Sequence, residues 1–209
     1  MWLQMSTATI YAHTFGPPHD EQGVVGGYEP GVPAYWKYSV DIATAWEAEQ
    51  EQAHAPRTRK VALRTAIVMS PDRGGAFDIL RRMAKLGLGG PIAGGRQYMS
   101  WIHETDFARA LTFLLESDLT GPVNLAAPNP LPQRDFVRAL RAAVGAPIGL
   151  PATRWMAELG AFVLRSDTEL LLKSRRVVPG RLTQAGFRFT YPDWPGAAAD
   201  LVTPKSAGE

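Results

Sequence analysis

Apolar positions come in short bursts along this chain, and the spacing inside each burst alternates between two residues and three or four. The opening "WLQMSTAT" is an apolar run that breaks into hydroxyl residues, and it predicts a strand over about residues 1–7. A polar, Gly/Pro-rich loop follows from His13 to Pro33, too long for a simple connection and therefore a candidate binding loop. In "YWKYSVDIATAWEAEQEQ", Tyr35, Tyr38, Ile42, Ala45, Trp46 and Glu49 fall at three- and four-residue steps, which predicts a helix with an aromatic and aliphatic stripe on one face. "RKVALRTAIVM" reads as a second strand, "GAFDILRRMAKLGL" as a helix stopped by the glycine cluster "GLGGPIAGG", and "RQYMSWIH" as a short strand before the helix "ETDFARALTFLLESD". "GPVNLAA" predicts a third main strand. Beyond Pro128, "LPQRDFVRALRAAVG" and "PATRWMAELGAFVLR" are helical patterns separated by the extended "APIGLP". The tail then predicts a proline-started turn or helix, a short alternating strand around "FRFTY" and a final helix.

Short strands alternating with helices point to an α/β fold. The pattern divides the chain into residues 1–127, a mainly helical lobe over 128–203 and a frayed end at 204–209. With 209 residues and 45% apolar content, the chain can bury a sizeable core. Lys plus Arg is 22 against 20 for Asp plus Glu, too even a balance to point to a nucleic-acid partner. Cysteine is absent, which excludes a disulfide scaffold, thiolate zinc sites and cysteine catalysis, and agrees with a cytoplasmic location. No run of about 18 apolar residues is present, so no membrane span is expected.

Few motifs carry chemistry by themselves. His103, Glu104 and Asp106 have the look of a zinc helix, but the metalloprotease spacing needs histidine where Phe107 stands, so His103 is expected to cap the helix and Asp106 to serve its first turn. His13, His19, Asp20 and Glu21 cluster in the first loop without a further ligand at a recognised spacing, and no metal is expected. In "LRSDTELLLKSRRVVPGR", Arg165, Lys173, Arg175, Arg176 and Arg181 stand against Asp167 and Glu169, either as a phosphate-facing patch or as a solvated helix face followed by a turn.

Taken in order, "STATIYA", "YSVDIATAWE", "LRTAIVMSP", "GRQYMSWIHETDFARAL" and "GPVNLAAPNPLPQRDFVRAL" resemble the extended short-chain dehydrogenase/reductases. With "KSRRVVPGRL" and "AGFRFTYPDWP", the chain resembles the sugar-nucleotide-epimerase-like branch that ends in a C-terminal domain of unknown function, from Met1 to about Leu201. The resemblance implies a Rossmann-type doubly wound sheet of which only the later strands are present, "WLQMSTATIY" matching the family's fifth strand. It implies NAD or NADP as the family's cofactor, a small-molecule substrate that includes nucleotide-linked sugars, and a C-terminal portion of an NAD(P)-dependent epimerase or oxidoreductase. No G-x-G-x-x-G follows a strand, so the chain alone is expected to be inactive and not to hold the cofactor, and its first strand is expected to self-associate through an open edge.

By the same resemblance Thr7 matches the hydroxyl that orients the substrate oxygen, with Ser6 and Thr9 beside it toward the cofactor, and Tyr38 matches the proton-carrying tyrosine. A phenol needs a nearby cation to act as a base near neutrality, yet Ile42 stands one turn on where the family has lysine, and Lys37 points elsewhere. Tyr38 is therefore a proton carrier or a packed aromatic. Ile67 and Met99 replace an asparagine and an arginine that contact diphosphate in the family, leaving Arg64, Arg96 and Arg176 as substrate-binding candidates. Arg64 serves equally as a structural ion-pair partner. The alternative to an enzyme is a Rossmann scaffold kept for binding or regulation.

Overall fold

The computed structural model describes residues 1–153 and 169–203. In chain order its elements are β1 (Trp2–Thr7), α1 (Trp36–Gln52), β2 (Lys60–Thr65), β3 (Ile67–Met69), α2 (Ala76–Lys85), β4 (Tyr98–Met99), β5 (Trp101–His103), α3 (Glu104–Glu116), β6 (Gly121–Leu125), β7 (Leu131–Pro132), α4 (Gln133–Val144), the single turn α5 (Glu169–Leu172), α6 (Gly180–Gln184) and α7 (Trp194–Val202). The fold is α/β, with a parallel sheet in the order β1-β2-β6, Thr7 facing Thr65 and Leu63 facing Val123. In the central strand β2, Val61, Ala62, Leu63 and Arg64 are all buried, as expected of a parallel strand covered on both faces. The predicted helix "PATRWMAELGAFVLR" and the tail 204–209 lie largely or wholly outside the described residues. No helix among the described residues is long and apolar enough to cross a membrane.

Two predicted strands are each split in two. At Ala66 the backbone N–H is taken by the Leu125 carbonyl at 3.0 Å, after which the chain leaves the main sheet and β3 pairs in parallel with β5. At Ser100 the side chain takes over a strand's pairing role: its hydroxyl donates to the Arg175 carbonyl and accepts from the Val177 N–H, both at 2.8 Å. The residues before it, β4, pair antiparallel with β7.

The stripe expected to mark the inner face of α1 lies on the outside. Trp36, Val40, Ala43 and Gln50 are buried, whereas Tyr35, Tyr38 and Trp46 are exposed. The inner face works through polar groups: Gln50 Nε2 donates to the carbonyls of Trp2 and Val61, and Ser6 donates to Glu47. Hydrophobicity therefore does not mark the side of α1 that packs on β1.

The strand expected around "FRFTY" does not form. Phe187 packs against β6 and α3, while both carboxylate oxygens of buried Asp106 accept the N–H groups of Thr190 and Tyr191 at 2.8 Å. Those two amides, the ones a strand would need, are satisfied by a helix side chain instead. The same turn of α3 is capped by His103, whose Nδ1 accepts the Thr105 N–H while its Nε2 meets Asp200 of α7 at 3.1 Å and its ring stacks on Tyr191. Trp194 of α7 stacks on Phe136 of α4 and donates to its carbonyl, closing a core that includes Met69, Phe77 and Trp101.

With Nδ1 accepting, the His103 ring is neutral, and burial pushes its pKa below the ordinary value of 6.5 despite the opposing pull of Asp200. The unfolded chain thus binds the proton more readily than the folded one, so stability is full above about pH 6.5 and falls as the pH drops through and below that value. Thermal unfolding between pH 7 and pH 5 is expected to show this loss, and a His103→Asn variant, which retains a capping acceptor but does not titrate, should reduce it, leaving the part due to His13, whose pKa burial also lowers.

Candidate active site

The parallel strands β1 and β2 deliver Thr7 and Thr65 to one edge at their carboxyl ends, the place where open α/β sheets bind ligands, and Ile67 follows at the start of β3. A pocket of about 150 Å³ opens there, lined also by Thr9, Ser100 and Arg175. Its floor is set by a distant stretch of chain. Lys173 Nζ donates to the Thr9 carbonyl at 2.8 Å and to Glu169 at 2.9 Å, and Arg175 donates to the Thr9 hydroxyl and to the Glu169 carbonyl. The Lys173–Glu169 pair is almost wholly buried, and burial lowers the lysine's pKa against the opposing effect of the glutamate.

Beside this pocket lies a larger cleft of about 410 Å³, walled by the candidate loop and the start of α1: His13, Phe15, Val32, Trp36 and Arg96 among others. His13 is held by the Ser174 N–H, which donates to its Nδ1 at 2.9 Å, and by Glu29, which accepts the His13 backbone N–H. Burial moves the His13 pKa below its ordinary value, and Lys173 adds to the effect while Glu29 opposes it. Glu29 itself is fixed: burial opposes its charge, but the N–H groups of His13 and Gly27 hold its carboxyl below the usual range.

Behind both cavities runs a buried polar network. Arg64 of β2 makes two hydrogen bonds to Glu47 of α1, at 2.9 and 2.7 Å, and a third to the Tyr11 hydroxyl at 3.0 Å. Tyr11 in turn donates to Asn124 of β6 at 2.7 Å, and Ser6 of β1 donates to Glu47 at 2.6 Å. Burial opposes the charge on Arg64, yet its bonds to Glu47 and Tyr11 prevail and hold it protonated beyond its ordinary value. Burial likewise pushes the Tyr11 phenol up, so it stays a neutral donor.

The sequence-predicted site residues fall into three groups. Thr7 and Thr9 meet at the small pocket, where the Thr7 hydroxyl accepts the Thr9 N–H. Arg96 lines the larger cleft with its guanidinium over Phe15, and Arg176 lies on the Tyr98 ring at 4.4 Å while donating to the Gly16 carbonyl. Ser6 and Arg64 face the interior network, and Tyr38 is 71% exposed, neither lining the cleft nor packed as an aromatic. Lys37, beside it, pairs with Asp41. Of the cationic segment, Lys173 and Arg175 are buried and Arg181 is tied to the carbonyls of Thr120 and Pro122; Arg165 and Asp167 lie outside the described residues. Sequence reasoning missed Trp36, Glu47 and Tyr11, and weighed His13 only as a metal ligand.

Residues 152–201 match the family model described as a domain of unknown function, DUF1731. The chain is 37% identical over 157 residues to an epimerase family protein of Mycobacterium bovis, spanning 74% of this chain and 50% of that protein. It is 30% identical over 205 residues to the epimerase family protein SDR39U1 of Mus musculus, spanning 96% of this chain and 65% of the relative. Among solved structures, human epimerase family protein SDR39U1 (isoform 2) with NADPH superposes with a TM-score of 0.81 at 28% identity, over 96% of this chain and 64% of that one.

The chain is an extended short-chain dehydrogenase/reductase of the epimerase-like type. The chain thus spans half to about two thirds of the length of these relatives. A UDP-glucose 4-epimerase of Thermus thermophilus in complex with NAD shares the Rossmann fold, with a TM-score of 0.62 at 17% identity. In this chain's version of the fold, the helix that follows the first hydroxyl-bearing strand turns a tryptophan, not a tyrosine, toward the cleft.

Removing one member of the Arg64–Glu47 pair leaves a buried charge unanswered. Glu47→Leu is expected to destabilise the chain by about 3–5 kcal/mol in urea unfolding, and Arg64→Met in the same background to recover much of that loss. Independent, additive effects of the two substitutions would show that the pair does not act as a unit.

Proposed function

We propose that this chain supplies the substrate-facing part of an NAD(P)-dependent epimerase or oxidoreductase that acts on a small polar molecule, nucleotide-linked sugars included. The observation that carries this reading is the placement of the Thr7 and Thr9 hydroxyls at the carboxyl edge of parallel strands, opening beside a cleft that holds Arg96. The NADPH in the human relative's structure supports the choice of cofactor.

The residues at this edge fit the reactive end of a nicotinamide nucleotide. The Thr7 oxygen accepts the Thr9 N–H, which leaves its own proton free for a substrate oxygen. The pocket they form is bounded by Thr65 and Arg175. The phosphate-facing end fits less well: Gly74 and Gly75 stand between β3 and α2, but the Gly74 N–H already donates to Asp78 within that helix. When bound, a nicotinamide supplies hydride transfer. Thr7 orients the oxygen of the reacting carbon, Arg175 fixes the Thr9 side of the pocket, and the loop from His13 walls the cleft against water.

A second reading, a binding or regulatory module without turnover, is favoured by Tyr38, exposed and with Ile42 one turn on. The readings separate in a chain joined to the N-terminal third of the mouse relative. NADPH fluorescence is expected to change saturably in the joined chain and only weakly in the 209-residue chain. No change in the joined chain contradicts both readings. Saturable binding with no NADPH oxidation across a panel of carbonyl sugars selects the second.

We also propose that β1 is a pairing surface. It is the edge of its sheet, with β2 its only strand partner among the described residues. Light scattering on the purified 209-residue chain is expected to show concentration-dependent self-association; a monodisperse monomer across the range would contradict it.

A further inference from the structure

The larger cleft is lined by hydrogen-bond donors that find no acceptor among the described residues. His13 is the first. Its Nδ1 accepts the Ser174 N–H at 2.9 Å, so Nδ1 carries no proton and the neutral ring bears its hydrogen on Nε2, which has no hydrogen-bond partner among the described residues. The ring is fixed in place by Phe15, edge-on at 4.9 Å, and by Trp36 at 5.6 Å. Ser174 cannot drift, because its hydroxyl accepts the Tyr98 N–H and the preceding Lys173 is anchored to Glu169 and Thr9.

Trp36 is the second. It is 5% exposed, yet its indole N–H is buried without an acceptor. Buried donors are almost always paired; this one is closed off from the cleft, and a small turn of the ring, which lines the cleft, would bring the N–H to a ligand oxygen. Trp101 carries another such N–H, but it sits deep in the core and lines no cleft. Arg96 is the third: its exposed guanidinium lies over the Phe15 ring at 5.9 Å with no carboxylate partner among the described residues, and it forms part of the same wall.

Acceptors that would quench these donors are engaged elsewhere. No carboxylate is among the described residues that line the cleft. Glu29 accepts from the backbone of His13 and Gly27, and Glu169 accepts from Lys173. Gln97, which also lines the cleft, accepts the Gln133 N–H at its backbone carbonyl and donates from its side chain to the Ile92 carbonyl. The charged groups around His13 are therefore Glu29 from its own loop, Lys173 with Glu169 from the later segment, and Arg96 across the cleft.

We propose that His13, Trp36 and Arg96 form an oxyanion-binding subsite that holds the carboxylate or phosphate oxygens of a small ligand, with His13 acting as a neutral hydrogen-bond donor and not as a proton carrier. Accepting a proton would place a second N–H against that of Ser174, so the ring donates from Nε2 and keeps its form when the ligand binds. The volume of about 410 Å³ suits a small molecule, and Phe15, Val32 and Leu172 supply apolar wall beside the donors. The proposal rests on the cleft being the ligand site, and it needs no cofactor.

The test uses the 209-residue chain labelled with ¹⁵N, without any nucleotide, so that its failure is separate from a failure of NADPH binding. Pyruvate and inorganic phosphate are titrated separately, with chloride as control, and the indole N–H of Trp36 and the ring nitrogens of His13 are followed by NMR. Saturable downfield movement of the Trp36 N–H and the His13 Nε2–H, with Nδ1 unprotonated throughout, is the expected result; the anion that binds more tightly identifies the ligand as carboxylate- or phosphate-bearing. Arg96→Gln is expected to weaken that binding about tenfold and leave the His13 tautomer unchanged. No movement with either anion, equal binding in Arg96→Gln, or formation of an imidazolium at His13 on binding would each overturn the assignment. The wild-type and Arg96→Gln spectra decide it even where Trp36→Phe, used only to assign the indole signal, fails to fold.

Discussion

A guanidinium in a protein interior has to be answered by nearby acceptors, and Arg64 is answered by a helix and a loop at once. Glu47 meets it from α1, Tyr11 meets it from the segment after β1, and Asn124 of β6 holds Tyr11 in turn. Because leaving a buried charge unpaired costs more than most packing errors, the position of Arg64 on β2 dictates how α1 is rotated about its own axis. Glu47 must face inward, and with it the series Trp36, Val40, Ala43 and Gln50, spaced by three and four residues. That rotation brings Trp36 to the cleft. Tyr38, two residues on and about 200° around the helix, is thereby turned to solvent.

A second constraint acts from far along the chain. Residues 173–177 pass behind the carboxyl end of β1, where Lys173 reaches the Thr9 carbonyl, Ser174 holds His13, and the backbone of Arg175 and Val177 is stitched to Ser100. This same contact buries the Lys173–Glu169 pair, whose desolvation is offset by their mutual hydrogen bond and by the Thr9 carbonyl. The two cavities therefore share one wall: a displacement of the 173–177 segment would loosen the Thr9 hydroxyl on one side and the His13 tautomer on the other. Single-residue roles read from the first 40 residues alone are incomplete for this reason.

What was legible in the sequence follows the strength of local signals. Most elements were readable, because strand and helix periods differ and glycines such as Gly87, in left-handed backbone just past Lys85, stop helices. The hydroxyl edge at Thr7 and Thr9 and the capping role of His103 were readable too, since each depends on residues a few positions apart. The face of α1 was not. Its inward positions include the half-buried Glu47 and the buried Gln50, which face inward because they meet partners 17 and 11 residues away on β2, and no hydropathy pattern encodes such pairing. The missing strand around "FRFTY" has the same cause: alternation was present, but the Asp106 carboxylate, more than 80 residues earlier, took its amides. The split at Ser100 also depends on a partner that only the fold supplies.

The chemistry open to the site follows from which of its groups can change protonation. Tyr11 is a buried phenol, but its proton is committed to Asn124 and its oxygen to Arg64, and burial raises its pKa away from neutrality. Tyr38 has no cation one turn on and lies outside the cleft. His13 is locked by Ser174 in the form that donates from Nε2. What remains around the cleft and the strand edge is a set of donors: the Thr7 hydroxyl, the indole of Trp36, the imidazole of His13 and the exposed guanidinium of Arg96. Donors positioned by the fold, as His13 is by Ser174, stabilise negative charge that is present or developing on an oxygen. On this physical ground the site is better suited to holding an oxyanion than to moving a proton, and a group that carries protons would have to come from the ligand or from solvent.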